Sequence, residues 1–450
     1  MPSTLRQDGT AGSPPAQPGE SPPPHAGPEP GGRVAVTARS GMELGALLAG
    51  CALLRVGAAG AGQAVQLDLV DLGGGRANHI TVGLVGAAQA VPEMLLAFAL
   101  ARLADRFGRR RFLIGGPLLG MLAVLLLAGA VHPAQIGVAR LFEGVGAAAF
   151  VPTALGTIAA ATSSDRAVRA RASGAFEGAT LVGYAGGFLV GPLFYHLLGR
   201  GCFLVLAAFY LAAALVCLRF VPTIPPLPTS PVGVIMRAIT GPGPIRVFIP
   251  AWLAVNTLVG GWYFNLASLL RQSRDPSQTL VHGFDNRVIS AILLGWVALL
   301  ILGIVVWTPV LRRLGGPSTM RLAIPGVYLI GIGTLLMNHL PLSWAPALLP
   351  IAALGVMTIG GFGPAAVAYL ADCSESLAAD RSALMAFYTI TLAGGGALGS
   401  VLGGLFAKWL LLDGLVVLGV LCATVALISL SAVVRYERRR EAVAEPSTPR

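Results

Sequence analysis

Twelve apolar runs, most of them at least twenty residues long, follow one another between residues 44 and 434. Roughly 20 residues rising about 1.5 Å each match the hydrocarbon thickness of a bilayer. Inside lipid the backbone must satisfy its own N–H and C=O groups, so a continuous apolar run of this length crosses as a helix. The runs are 44–67, 80–101, 112–131, 134–161, 174–197, 201–221, 247–270, 287–310, 320–339, 345–370, 383–407 and 412–434. The expected fold is an all-α membrane protein of twelve transmembrane helices. Composition excludes the alternatives. Only 11% of residues are charged and 55% are hydrophobic, with a mean hydropathy of +0.75. Soluble domains carry about 25% charge, and disordered chains carry little apolar surface. The 59 glycines, unfavourable for helices in water, suit close helix contact in lipid.

The flanks differ from the spans. Residues 1–40 are rich in Pro, Gly and Ser and have no apolar period, so they read as a disordered tail; 435–450 is a second polar tail. No basic start followed by an apolar stretch marks a signal peptide. A Pro-rich segment, 222–246, links residues 41–221 to residues 247–434, each expected to hold six helices. An even number of spans puts both tails on one side. Of 31 Lys and Arg residues, 23 fall on that side and 6 on the other, with Arg55 and Arg140 inside spans. The excess of basic loops marks the cytoplasmic face, so both tails are expected there. The net charge of +11 is thus a membrane signature and not a nucleic-acid face. Lys408 is the sole lysine beside thirty arginines. That bias follows GC-rich codon usage and points to a bacterial cytoplasmic membrane. Five of the six histidines (His79, His132, His196, His282 and His339) lie at or near the opposite side. The five cysteines have no metal-ligand spacing and read as core residues.

The two parts of the chain echo each other. Leu103–Gly108 matches Val310–Gly315 at an offset of 207, Pro152 matches Pro364 at 212, and Arg171 matches Arg381 at 210. A repeat of this kind is characteristic of secondary transporters, whose site lies between the repeats near the midplane.

Three motifs carry chemistry. The first is the 2–3 loop, Ala101-Arg-Leu-Ala-Asp-Arg-Phe-Gly-Arg-Arg-Arg-Phe-Leu113. Gly108 allows a tight turn between two spans, and Arg106, Arg109 and their neighbours hold the loop in water. Asp105 can pair with those arginines. The second is Arg140-Leu-Phe-Glu-Gly-Val-Gly-Ala-Ala148 in the fourth span. An arginine within a span must face protein or a wet cavity, and Glu143, three residues on, lies on the same helix face. The third is Gly183, Gly187 and Gly191-Pro192 in the fifth span, ending at Tyr195-His196. Glycine permits close packing there, and proline frees a backbone carbonyl.

Together these resemble the signatures of the major facilitator superfamily, most nearly its twelve-helix drug/proton antiporters. The first resembles G-x-L-a-D-r-x-G-r-k-x-x-l, with Ala101 in place of the leading Gly. The second resembles R-x-x-q-G-x-g-a-a, with Glu143 replacing Gln. The third resembles the exporter motif g-x-x-x-G-x-x-x-G-P-x-x-G-G, with Tyr195 and His196 in place of the final Gly-Gly. The resemblance implies a gating role for the 2–3 loop (Asp105, Arg106, Gly108, Arg109), with Glu177 as its partner on the fifth span. It also implies proton coupling through Arg140. In the second-half copy of the loop Arg312 stands at the place of Asp105, so that copy is expected to be degenerate.

Two further charges lie in spans. Arg55 is about 16 Å and Glu93 about 12 Å from the cytoplasmic end of its span, so the two can pair. Glu93 and Glu143 are candidate proton carriers, and Arg55 a candidate counter-charge for substrate. The second half has no Asp, Glu, Lys or Arg near the midplane. It offers Trp252, Asn256, Trp262, Tyr263 and Asn265 in the seventh span, with Tyr369 and Tyr388 beyond. That wall suits an amphipathic compound; packing and interfacial belts are the plainer alternative. No nucleotide-binding loop, hydrolase elbow or zinc motif is present, so no enzyme and no cofactor is expected. The expectation is a monomeric transporter in the lipid bilayer that exchanges a small molecule for protons in export. Proton-coupled uptake is the alternative, and a non-transporting receptor or membrane enzyme the alternative of another class.

Overall fold

The computed structural model describes the backbone of residues 30–161, 166–221, 244–375 and 381–444. The N-terminal tail to residue 29, most of the 222–246 linker and the end of the C-terminal tail lie outside the described residues, as does the side chain of Tyr388. Met42–Arg450 forms one compact unit. Among the described residues every regular element is helical: α1 (Pro30–Leu72), α2 (His79–Phe107), α3 (Arg109–Gly129), α4 (Pro133–Ala161), α5 (Arg166–Leu198), α6 (Cys202–Phe220), α7 (Pro244–Arg271), α8 (Asn286–Leu314), α9 (Gly316–Ala323), α10 (Pro325–His339), α11 (Ala345–Ile359), α12 (Phe362–Glu375) and α13 (Arg381–Ala444). Among the described residues ten segments are long and apolar enough to cross a bilayer. Two of them, Gly174–Phe220 and Ile390–Arg438, run to 47 and 49 residues, about twice what one crossing needs.

Each of those two is folded back by a local device. The first turns through a short 3-10 stretch, Gly199–Gly201, where Gly199 has φ 53°. The second turns at Leu411, whose φ of 50° is rare for a side chain of this size. One side chain compensates there. Gln278 donates to the Leu410 carbonyl at 2.7 Å and accepts from the Leu412 N–H at 3.0 Å, replacing the helix bonds the turn removes.

Two expected spans depart from the prediction. The run 345–370 is not one helix: it breaks between α11 and α12 at Gly360–Gly361. There Gly361 lies under the ring of Trp307, which a Cβ would approach to 2.5 Å, and Gly360 rests on Gly303 of α8. The run 320–339 starts earlier, in α9, and is interrupted before Pro325, which cannot donate to the preceding turn. The first span is also longer than expected. α1 continues to Leu72 and carries Asp68 into the interior at 2% exposure. Asp68 therefore joins the short list of buried charges.

The proposed repeat has a backbone counterpart. Gly108, between α2 and α3, has φ 98°, and Gly315, between α8 and α9, has φ 74°. Both cap one helix and open the next. Packing places α4 against α2 and α3, α3 against α6, α7 against α13, and α10 against α11. Contacts of α2 with α13 and of α5 with α8 join the first part of the chain to the second. Burial follows position: the apolar window of α4 is 78% buried, that of Leu342–Leu370 only 11%. A helix apolar on every side belongs at the centre or in lipid, and packing separates those two cases.

Candidate functional site

α4 places Arg140 and Glu143 one turn apart on the face that meets α2, α3 and α6. Both are 1% exposed. Arg140 Nη1 donates to Glu143 Oε2 at 2.5 Å, and the Tyr210 hydroxyl of α6 donates to Glu143 Oε1 at 2.7 Å. Arg140 Nη2 reaches Gln89 Oε1 of α2 at 3.4 Å. The small residues of the same motif make this depth accessible. A Cβ on Gly144 would come within 2.1 Å of the Gln89 carbonyl, and one on Gly146 within 2.6 Å of the Gly116 carbonyl, so α2 and α3 touch α4 directly. Gly120 of α3 leaves room for the Tyr210 ring, 2.5 Å from where its Cβ would be.

A second pair lies nearby. Arg55 Nη2 of α1 is 3.7 Å from Glu93 Oε1 of α2, with side chains 5% and 8% exposed. The pairing anticipated from depth is present, but it is loose: Arg55 Nε and Glu93 Oε1 have no hydrogen-bond partner. Arg55 also lies 5.5 Å from the centre of the Tyr184 ring, within cation–π range. Tyr184 meets Tyr263 of α7 edge-on at 5.8 Å, and Phe188 packs on Tyr263 at 5.5 Å. Gly183 explains how an arginine fits here. Its missing Cβ would sit 2.5 Å from Arg55 Cβ, so the fifth-span glycines form a trough for α1, with Gly187 and Gly191 receiving Gly60 further along.

The two clusters meet at Gly62. A Cβ there would lie 3.2 Å from the Tyr263 hydroxyl and 3.5 Å from Arg140 Nη2. Beside it is a cavity of about 10 Å³ lined by Gly62, Gln66, Arg140, Phe264 and apolar neighbours, room for about one water molecule.

Between this centre and the end where α1 gives way to α2, the first and second parts of the chain are tied together. Gln63 and Gln66 of α1 donate to the Tyr263 carbonyl at 3.1 and 2.9 Å, and Gln66 accepts from the Ala267 N–H at 3.1 Å. The Ser400 hydroxyl of α13 donates to the Gly83 carbonyl at 2.7 Å. Pro192 contributes through what it lacks. Without an N–H it leaves the Phe188 carbonyl free, and the Ser290 hydroxyl of α8 donates to the Phe188 and Leu189 carbonyls at 3.3 and 2.5 Å. At the rim, Arg271 reaches Asp71 at 3.3 Å and His196 reaches Asp285 at 3.4 Å. Arg200 holds Asp68 at 2.7 Å, and the Tyr195 hydroxyl contacts Asp68 and Asp71 at 3.1 and 3.0 Å.

At the opposite end, Arg109 pairs with Asp105 at 2.6 Å and donates to the Gly156 carbonyl at 2.6 Å, which binds the 2–3 loop to α4. Arg106 lies over the Phe107 ring, and Glu177 is half-buried on α5. Of the seventh-span wall, Tyr263 alone enters the central cluster. Asn256 donates to the Trp252 carbonyl of its own helix, Asn265 donates to the Gly261 and Ser400 carbonyls, and Trp262 packs edge-on against Trp296. Gln63, Gln66, Gln89, Tyr184, Tyr210 and Asp68 were not singled out in the sequence. Gln63, Gln66 and Gln89 could have been, because an amide within an apolar run has to find a partner. Among the described residues no group of three His, Cys, Asp or Glu side chains could hold a metal ion.

Helices throughout the described residues, membrane-length apolar segments and a cluster of opposite charges buried in the interior define a multi-pass membrane protein of the transporter class. The family model of the Major Facilitator Superfamily matches residues 47–379, and the chain belongs to that family. It is similar to the methylenomycin A resistance protein of Bacillus subtilis (strain 168), 30% identical over 154 residues, 33% of each chain. It is also similar to the uncharacterized MFS-type transporter EfpA of Mycobacterium tuberculosis, 31% identical over 133 residues, 28% of this chain and 25% of EfpA. Both matches thus span a third or less of the relative. Among solved structures, the nucleoside transporter NupG has the same fold with a TM-score of 0.66 at 15% identity, over 87% of this chain and 98% of that one. A bacterial homolog of the human lysosomal transporter Spinster, in an inward-facing and unoccupied conformation, aligns with a TM-score of 0.63 at 15% identity, over 89% of this chain and 97% of that one.

Proposed function

We propose that this chain exports a small amphipathic compound from a bacterial cell in exchange for protons. It would do so by alternating access between two six-helix halves, 41–221 and 247–434, joined by the 222–246 linker. In this reading twelve helices cross the cytoplasmic membrane, the two folded-back segments crossing twice each, and both termini are cytoplasmic. The end where α1 meets α2 is then the outer end, and it is the closed one. The observation that carries the reading is the Arg140–Glu143–Tyr210 cluster. Arg140 neutralises Glu143 at a site where both side chains are buried. A proton arriving on Glu143 cancels that charge and leaves Arg140 unmatched in a medium where an unpaired charge costs several kcal/mol. The cluster must then rearrange, which converts proton binding into a shift between conformations. Arg55, Tyr184, Phe188 and Tyr263 line the adjoining region with a cation and aromatic faces, which suit an amphipathic solute. The resistance protein among the relatives supports export.

Everted vesicles carrying a proton gradient are expected to accumulate the compound, and Glu143→Gln to abolish gradient-driven accumulation while exchange without a gradient continues. Full gradient-driven transport by Glu143→Gln would remove the proton role from that residue. Accumulation in right-side-out vesicles would make the protein an importer.

A further inference from the structure

Two charged pairs join the halves at the outer rim, and they differ in one respect. Arg271–Asp71 links α7 to α1 through an arginine that stays charged at every physiological pH. His196–Asp285 links α5 to the start of α8 through an imidazole, the side chain that changes charge between about pH 5 and 8. His196 stands where the fifth-span glycine motif departs from its family pattern. Its side chain is 28% exposed and that of Asp285 44%, so water reaches both.

Asp285 is prepared as the anionic partner. It caps α8 by accepting the Arg287 N–H at 2.8 Å, and that bond holds its carboxyl below the usual carboxylate range. It is therefore ionised across the physiological pH range. Its other charged neighbour, Arg287, lies 3.3 Å from Oδ1, while His196 faces Oδ2. Two other aspartates at this end are paired elsewhere: Asp68 with Arg200, and Asp71 with Arg271, the two bridged by Tyr195. The Ser290 bonds to Phe188 and Leu189 keep α5 and α8 in register below the pair, and these do not titrate.

We propose that His196 and Asp285 form a proton-binding pair completed by closure of the outer end, so that acid on the outside favours the closed state. The inference rests on the alternating-access reading. A proton taken from outer water gives His196 a positive charge. Asp285 attracts that charge only while the two halves are together, so proton binding and closure favour each other to the same degree. An exposed pair of this kind shifts the closed-to-open ratio by roughly two- to five-fold.

The test uses the full-length protein in lipid nanodiscs, without substrate or gradient, and a distance reporter between the α1–α2 and α7–α8 connections. The closed fraction should rise as pH falls from about 8 to about 5. His196→Gln and Asp285→Asn should each flatten the response. Arg271→Gln should lower the closed fraction at every pH and keep the slope. His339→Gln should also keep it, because His339 pairs with Asp413 inside one half. A flat response in the wild type overturns the proposal, as does a slope that survives both His196→Gln and Asp285→Asn. In a Glu143→Gln background, which removes any contribution of the buried cluster, His196→Gln must still reduce the remaining slope. If export proves not to be proton-driven while the slope is present and needs His196, the pair stands and the coupling reading alone falls.

Discussion

The two buried acid–base pairs are alike in composition and unlike in construction. Arg140 and Glu143 come from one helix, meet at 2.5 Å, and are completed by Tyr210 and Gln89. Arg55 and Glu93 come from different helices, stand 3.7 Å apart, and leave Arg55 Nε and Glu93 Oε1 unbonded. A short local pair within a completed network resists change until a proton alters its charge. An open pair beside aromatic rings can exchange its partner for a ligand. In the proposed mechanism the first pair handles the proton and the second meets the solute.

Three experiments would break or sharpen that contrast. Arg140→Ala leaves Glu143 buried without its counter-charge, and a loss of about 3–5 kcal/mol is expected in thermal or denaturant unfolding, with transport abolished. If the loss is no larger than for Arg55→Ala, the two pairs are equivalent and the contrast fails. Tyr210→Phe removes one hydrogen bond to a charged group, so a loss of about 1.5–3 kcal/mol is expected, together with an altered pH profile of transport. An unchanged profile would make Tyr210 a packing residue. The smallest effect belongs to the open pair. In a double-mutant cycle, Arg55→Gln and Glu93→Gln should couple by less than about 1 kcal/mol in stability. Arg55→Gln should still raise KM for the transported compound more than it lowers kcat. A coupling as large as the Arg140–Glu143 value would show that the second pair is closed in solution.

Much of this was legible before any coordinates. Periodicity and length marked the helices, because lipid leaves the backbone few alternatives. The fourth-span motif placed Arg140 beside Glu143, since residues three apart on a helix are neighbours whatever surrounds them. The fifth-span glycines announced close packing, and the structure shows α1 and its Arg55 lying against them. The misses have equally specific causes. Asp68 escaped because an aspartate at the edge of an apolar run reads as its end, whereas Arg200 and Tyr195 both donate to its Oδ1 and α1 continues past it. The run 345–370 was read as unbroken because no charge interrupts it; the interruption comes from Trp307 and Gly303 pressing on Gly360–Gly361.

The sequence by itself determined what is local: membrane-length helices, the turns at Gly108 and Gly315, the Arg140–Glu143 pair, and the family. Tertiary structure alone decided which polar groups meet across helices. Tyr210 reaches Glu143 over 67 positions, Ser290 reaches the carbonyl freed by Pro192, and His196 faces Asp285. The physical reason is that hydrophobic periodicity states only that a side is covered, by protein or by lipid. A hydrogen bond or ion pair needs its partner within about 3–4 Å, and that distance is set by how the helices pack.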